Sequence, residues 1–226
     1  MTVVVRSDPK AMSLSQDPLE LLPRKRPQAF DRDDVVYRPD DPSDSLFLVV
    51  DGAIKISRIA ENGRETVIDF AARENFFGLS SLLESGKRGE LATALERSAV
   101  MEWPIEELRS LLARTPELGP ALLRILAQKL NDSETRIESF ATDHIPRRLV
   151  KTLLRLGERF GEPLASTPKL RLMPLTHELL AKHVGTSREI ITQHMGALRK
   201  RGLVEYSRSG LEFDPSALRR EIARSN

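Results

Sequence analysis

The sequence predicts an α+β chain: a β-rich N-terminal half, one long helix, and a C-terminal part holding a helix pair and a hairpin. Three observations predict it. Short apolar runs separated by turn residues fill residues 30–103. An apolar row at 3.5-residue spacing follows over 116–140. Two helical segments meeting at a glycine lie at 176–201. A chain of 226 residues, 40% apolar and 30% charged, is long enough for two ordinary domains with buried cores.

Composition removes several function classes. No apolar run approaches the roughly 18 residues of a membrane helix. The opening MTVVVRSDPKAMSLSQDPLE lacks a signal-peptide core, which places the protein in the cytoplasm and away from membranes. Zero cysteines exclude disulfides, cysteine-ligated iron–sulfur clusters and thiol catalysis. The net charge of +2 hides an asymmetry: residues 1–142 carry 19 Lys/Arg against 24 Asp/Glu, and residues 143–226 carry 16 against 9. An acidic half joined to a half of net +7 implies that the second half meets a polyanion.

Residues 1–20 are polar, proline-containing and aperiodic, and are expected to be a flexible arm. From 21 to 115 the strand-like runs VVY, SLFLVV, AIKISRIA and ETVIDFA alternate with turn signals, which implies a sandwich or barrel. Asn62-Gly63 between two such runs predicts a hairpin with a type I′ turn, whose residues need positive φ. The chain then reads as one helix over 116–142. Leu123, Leu126, Leu130, Ser133, Ile137 and Phe140 recur at 3, 4, 3, 4, 3, a coiled-coil seam with one polar member. The chain offers no other long helix to cover that seam, so a homodimer is expected. Leu122 and Ile125 form a second apolar edge suited to cover the β domain. Asp143 is expected to cap the next helix, which opens the C-terminal domain, 143–226.

Within that domain Thr176 caps THELLAKHV, which stops at Gly185, where a left-handed residue is needed. Ala181 is small where a second helix crosses. Thr186 and Ser187 cap REIITQHMGALRKR, with Ile190, Ile191 and Leu198 inward. Helix, glycine turn and helix make the helix-turn-helix unit, whose second helix enters the DNA major groove. Arg188, Glu189, Thr192 and Gln193 form its outward N-terminal face. Arg reads guanine, Glu accepts from cytosine N4 and Gln reads adenine. Phosphate contacts are expected from Thr176, Ser187, Lys200 and Arg208. LVEYSRSGLEF reads as a hairpin around Ser209-Gly210.

These residues carry a resemblance. Over residues 25–222 the chain resembles the Crp–Fnr superfamily of bacterial transcription regulators, through SLFLVVDGAIKI, FFGLSSL, ALERSAVMEWPIEEL and LAKHVGTSREI. The resemblance implies an N-terminal β-roll sensor, a long dimerisation helix and a C-terminal winged helix-turn-helix. It further implies a dimer on a palindromic operator, with RNA polymerase as a partner where the regulator activates. Cyclic-nucleotide-binding relatives carry a cassette of Phe-Gly-Glu and a later Arg-Ser/Thr-Ala. Here Phe77-Gly78-Leu79 and Arg88-Gly89-Glu90 stand in those places, so Leu79 lacks the ribose-binding carboxylate and Gly89 lacks the hydroxyl. Ser133 and Glu134 are expected at the helical base of the pocket, Glu134 repelling phosphate, and Arg88 is expected as a solvated loop residue. Many relatives carry a second base-reading Arg where this chain has Gln193.

The effector is therefore expected not to be a typical cyclic nucleotide. A divergent nucleotide pocket and a ligand-independent regulator controlled by abundance are the alternatives. A cupin-like metalloenzyme is the reading from another class. It needs clustered histidines in the barrel, yet His144, His177, His183 and His194 all follow the β region. Their placement also argues against histidine-ligated haem in the sensor, leaving only an unusual ligand at His144. No nucleophile elbow is present, so no enzyme, metal or cofactor is expected. His177 and His183 are expected on the surface and His194 partly buried.

Overall fold

The computed structural model describes residues 18–83, 86–207 and 209–224. Eight short strands build the N-terminal domain: β1 (Gln28–Phe30), β2 (Val35–Tyr37), β3 (Ser45–Asp51), β4 (Ala53–Ile59), β5 (Glu65–Ala72), β6 (Phe76–Phe77), β7 (Leu91–Ala94) and β8 (Ser98–Pro104). They form two antiparallel four-stranded sheets, β1-β8-β3-β6 and β2-β7-β4-β5. Alternation along β3 serves two cores. Phe47 and Val49 face the space between the sheets with Ile54, Phe77 and Val100. Leu46 and Leu48 face outward with Trp103, into a core roofed by helices.

The β4–β5 hairpin forms at the expected place with a different turn. Gly63 has φ +77°, while Asn62 keeps a negative φ. The Gly63 N–H donates to Ala60 O at 2.8 Å and the Ala60 N–H to Arg64 O at 3.0 Å. This is a type I turn closed by a glycine bulge, which needs one positive φ rather than the two of type I′. Residues 18–20, expected in the arm, belong instead to a helical turn, α1 (Pro18–Leu21). Burial of Leu22 beside Leu46 and Trp103 holds this segment, and the Trp103 indole donates to Pro23 O at 3.0 Å. The arm as far as residue 17 lies outside the described residues.

After α2 (Ile105–Arg114), the long helix α3 runs from Leu118 to Thr142. Leu118 and Leu122, with Ile125 beside them, close the core under the first sheet. The other edge stays open. Leu123, Leu130 and Ile137 are 65%, 60% and 68% exposed, and Leu126 and Phe140 are exposed as well. Ser133, within that row, donates back to Lys129 O at 2.8 Å.

Asp143 ends α3 rather than capping α4 (Ile145–Phe160), whose N-cap is His144 without a side-chain bond. Its carboxylate is taken by Ser139 Oγ at 2.7 Å, Arg147 at 2.9 Å and Lys151 at 2.6 Å. Two cations and a hydroxyl outcompete the single amide bond a cap would offer. The C-terminal domain then holds β9 (Glu162–Pro163), β10 (Leu170–Leu172), α5 (His177–Val184), α6 (Arg188–Lys200), β11 (Val204–Ser207), β12 (Gly210–Phe213) and α7 (Pro215–Arg224). Its sheet order is β11-β12-β10-β9. Gly157, inside α4, lets Phe213 approach; a Cβ there would lie 2.7 Å from its ring.

The two domains share a core. Val67 and Phe70 of β5 are fully buried among Leu149, Leu180, Ile191 and Phe213 of the C-terminal domain.

Candidate nucleic-acid interface

Two capped helices build the reading head. Thr176 Oγ1 accepts from Leu179 N at 3.1 Å and starts α5. Gly185 ends it in the left-handed conformation, φ +77°, with its N–H on Ala181 O. Any Cβ at Gly185 would lie 2.7 Å from the Phe140 ring. The glycine therefore answers a second demand, close approach of the α3 end, that turn geometry did not reveal. Ser187 Oγ accepts from Ile190 N at 3.4 Å and starts α6. Ile191, Met195 and Leu198 are buried against α5 and the sheet; Ile190, expected inward, is only half-buried. Met195 was missed, although 191, 195 and 198 follow helical spacing.

Arg188, Glu189, Thr192 and Gln193 are all exposed and lie together on the first two turns of α6. The Glu189 backbone N–H and the Ser187 hydroxyl hold the Glu189 carboxyl below the usual carboxylate range. Thr192 is already engaged: its hydroxyl donates to Arg188 O at 2.8 Å and meets His177 Nδ1 at 2.9 Å. His177 Nε2 meets Tyr206 OH at 2.6 Å. A polar chain thus ties α6 to α5 and to the wing strand β11, and the sequence carried no signal for it. Burial, then the Arg188 charge, lowers the His177 pKa. Thr176 and Ser187 sit at the two helix starts and exposed Lys200 at the end of α6; Arg208 lies outside the described residues.

The region where an effector pocket was expected is arranged differently. A cavity of about 510 Å³ runs from the β-roll along α3 to α4. Phe77, Gly78, Leu79 and Ser133 line it; Arg88, Gly89 and Glu134 do not, and Glu90 takes a place in the wall instead. Glu134 is exposed on α3, pointing away from the lining. Arg88 is not solvated but 3% exposed. Its guanidinium donates to Gly78 O at 2.9 Å and to Ser45 O, and lies 4.5 Å from the centre of the Tyr37 ring. Two buried carbonyls and an aromatic face hold it.

His183 is a second correction. It is buried, its Nδ1 meeting Val67 O at 3.3 Å and its ring 5.0 Å from Phe70. Burial, then the Arg136 charge, pushes its pKa down to about 3. Around it Arg136 donates to Val67 O, Ile68 O and His183 O. Asp69 accepts from Lys129 at 2.6 Å and Arg159 at 2.8 Å, and Glu65 accepts from Lys55 and Lys182. No group of metal-ligating side chains gathers among the described residues.

Comparison with known proteins agrees with both halves. The cyclic nucleotide-binding domain model matches residues 27–115 and the Crp-like helix-turn-helix domain model matches residues 147–221. The chain is 30% identical over 179 residues to a CRP-like cAMP-activated global transcriptional regulator of Mycobacterium tuberculosis, covering 79% of this chain and 80% of the relative. It is 31% identical over 179 residues to the global nitrogen regulator of a Nostoc species, covering 78% and 80%. In fold it is similar to FixK2 from Bradyrhizobium japonicum (TM-score 0.75, 19% identity, 86% and 95% covered). It is also similar to a CRP/FNR-family transcriptional regulator from Thermus thermophilus (TM-score 0.68, 26% identity, 88% and 98% covered). A β-roll, a long helix and a capped reading head, matched along four fifths of the length of named regulators, make one conclusion plain: the chain belongs to the Crp–Fnr family of DNA-binding transcription regulators.

Proposed function

We propose that two copies pair through α3 and read a palindromic operator with Arg188, Glu189 and Gln193, under an effector other than a cyclic nucleotide. The exposed apolar row from Leu123 to Phe140 carries this reading. Large aliphatic side chains left open along a whole helix, rimmed by charge, mark an association surface. A helix of 25 residues spans about 38 Å, enough to join two sensor domains to two DNA-binding domains. The protein acts in the cytoplasm on double-stranded DNA, with RNA polymerase as a further partner where it activates; no described helix is long and apolar enough to cross a membrane.

Arg188 and Glu189 reach a G·C pair or neighbouring pairs, and Gln193, one turn further along, favours adenine. Thr192 presents mainly its methyl group, because its hydroxyl serves His177. Lys200, Thr176, Ser187 and Arg208 contact phosphate. Glu189→Ala relaxes choice at one symmetric position and costs about 1–3 kcal/mol against the preferred site, whereas Lys200→Ala weakens all sequences alike. Selection of bound DNA from a random pool supplies the operator. Titration against its single-base variants then tests the assignment, and indistinguishable profiles for the two variants would remove it.

Arg88 supports the effector half of the reading. To hold a phosphate it must give up its bonds to Ser45 O and to Gly78 O, which keeps the Ser81 N–H as a second donor; each such charge-assisted bond is worth about 1.5–3 kcal/mol. Leu79 and Gly89 offer no compensating contact. Calorimetry with cyclic AMP and cyclic GMP is expected to show no tight binding. Low-micromolar affinity abolished by Arg88→Ala would overturn this.

A further inference from the structure

The two ends of the cavity differ in charge. At the β-roll end the two terminal nitrogens of Arg88 are turned away from the cavity onto the carbonyls of Gly78 and Ser45, and Glu90 stands in the wall. At the opposite end, where α3, α4 and β5 meet, Lys129, Arg136, Arg155 and Arg159 face two carboxylates, Asp69 and Asp132. Three of these cations have strong partners: Lys129 and Arg159 hold Asp69, Arg159 reaches Asp132 at 3.7 Å, and Arg136 holds backbone carbonyls. Arg155 does not. Its one hydrogen bond among the described residues is a 3.4 Å contact with Thr152 Oγ1, and no carboxylate there comes within ion-pair distance. His183, in the same wall and held neutral, adds no charge. Burial and the neighbouring Arg159 disfavour the charged guanidinium of Arg155, while Asp132 and Asp143 favour it only from a distance. Between the ends the wall is apolar, with Ile68, Phe77, Leu79, Ile137 and Leu156.

We propose that this cavity takes a small organic anion with an apolar body, its charged group held by Arg155 between the sensor and the DNA-binding domain rather than by Arg88 in the β-roll. A half-buried arginine without a carboxylate offers a paired, charge-assisted contact to a carboxylate or phosphate, and the surplus of cations around it repels a cationic head. The apolar wall takes the body. Because Arg155 stands on α4 and Lys129 on α3, an anion bound there touches both sides of the joint whose angle positions α6. This rests on the reading of the chain as an effector-controlled regulator.

The test uses the full chain without DNA and two dyes that share an apolar body, anilinonaphthalene sulfonate and the uncharged N-phenylnaphthylamine. Fluorescence titration is expected to give the sulfonate the tighter affinity. Arg155→Met should weaken the sulfonate about tenfold or more and leave the uncharged dye within about twofold, with Arg155→Lys recovering part of the loss. Displacement of the sulfonate by hexanoate or hexyl phosphate, and not by hexylamine, supports the assignment. Equal loss of both dyes, no loss of either, or displacement by hexylamine or by none of the three overturns it. Should Arg155→Met fail to fold, a salt titration of the unaltered protein decides: the sulfonate must weaken with salt and the uncharged dye must not. Operator affinity is measured separately. A failed dye assay with intact sequence-specific binding removes the anion site alone, and intact dye binding without operator recognition removes the regulator reading alone.

Discussion

A chain carrying Leu126→Glu and Leu130→Glu sediments as a folded monomer and loses binding to a palindromic operator. Both leucines are exposed in the single protomer, so replacing them opens no cavity in the core. In a dimer across α3 the same side chains lose their remaining exposure, 36% at Leu126 and 60% at Leu130, each contributing about 0.5–2 kcal/mol by burial. Glutamate removes that contribution at four places in the pair and sets like charges against each other. A monomer engages one half-site at a time and forfeits the effective concentration that joins the two halves. Analytical ultracentrifugation together with a two-half-site gel shift checks both parts. An unchanged dimer would show that α3 is not the seam.

Asp69→Asn is expected to destabilise the protein by about 3 kcal/mol, which for a chain of this size lowers the thermal midpoint by roughly 6–12 °C. The carboxylate joins Lys129 of α3 to Arg159 of α4, and its loss leaves two cations facing each other at the joint between the domains. Acid produces a related effect in the unaltered protein. Burial would raise the Asp69 pKa, but Lys129 and Arg159 hold it well below the ordinary carboxylate range. Hydrogen bonds from Lys55 and Lys182 likewise outweigh burial at Glu65 and hold it at about 2. Groups with depressed native pKa values stabilise fully above their unfolded values, near 4, and that stability is lost as pH falls toward 2. His183 acts at higher pH. Its native pKa of about 3 lies below the unfolded 6.5, so the unfolded chain gains a proton first and stability declines as pH falls from 6.5 toward 3. Thermal midpoints measured from pH 7 to 3 should fall throughout, with the lower part of the slope shallower in Asp69→Asn. A flat profile in the unaltered protein would contradict the buried pairing.

What could be read from the chain is what local physics controls. Thr176, Gly185 and Ser187 mark helix ends because capping and left-handed turns involve residues three or four apart, and all three stand where expected. The row on α3 was legible for the same reason: a period of 3.5 residues needs no knowledge of the rest of the molecule. The position of the Asn62-Gly63 hairpin was readable too, but not its turn type, because a type I turn with a glycine bulge accepts the same pair. Asp143 looked like a cap only until Lys151, eight residues on, came within reach.

The charges and rings that define the cavity belong to another scale. His183 meets Val67 across 116 residues of chain, Arg159 meets Asp69 across 90, and Arg88 reaches Ser45 across 43. Residue type alone placed His183 and Arg88 at the surface, since an arginine or a histidine next to polar neighbours is most often solvated. The fold reversed both assignments by supplying buried carbonyls and aromatic faces where those side chains land. The capped helices, the apolar row on α3 and the charge division therefore follow from the order of residues. The insertion of β5 into the C-terminal core and the spare guanidinium of Arg155 do not, because burial and pairing are set by which distant groups the packed domains bring together.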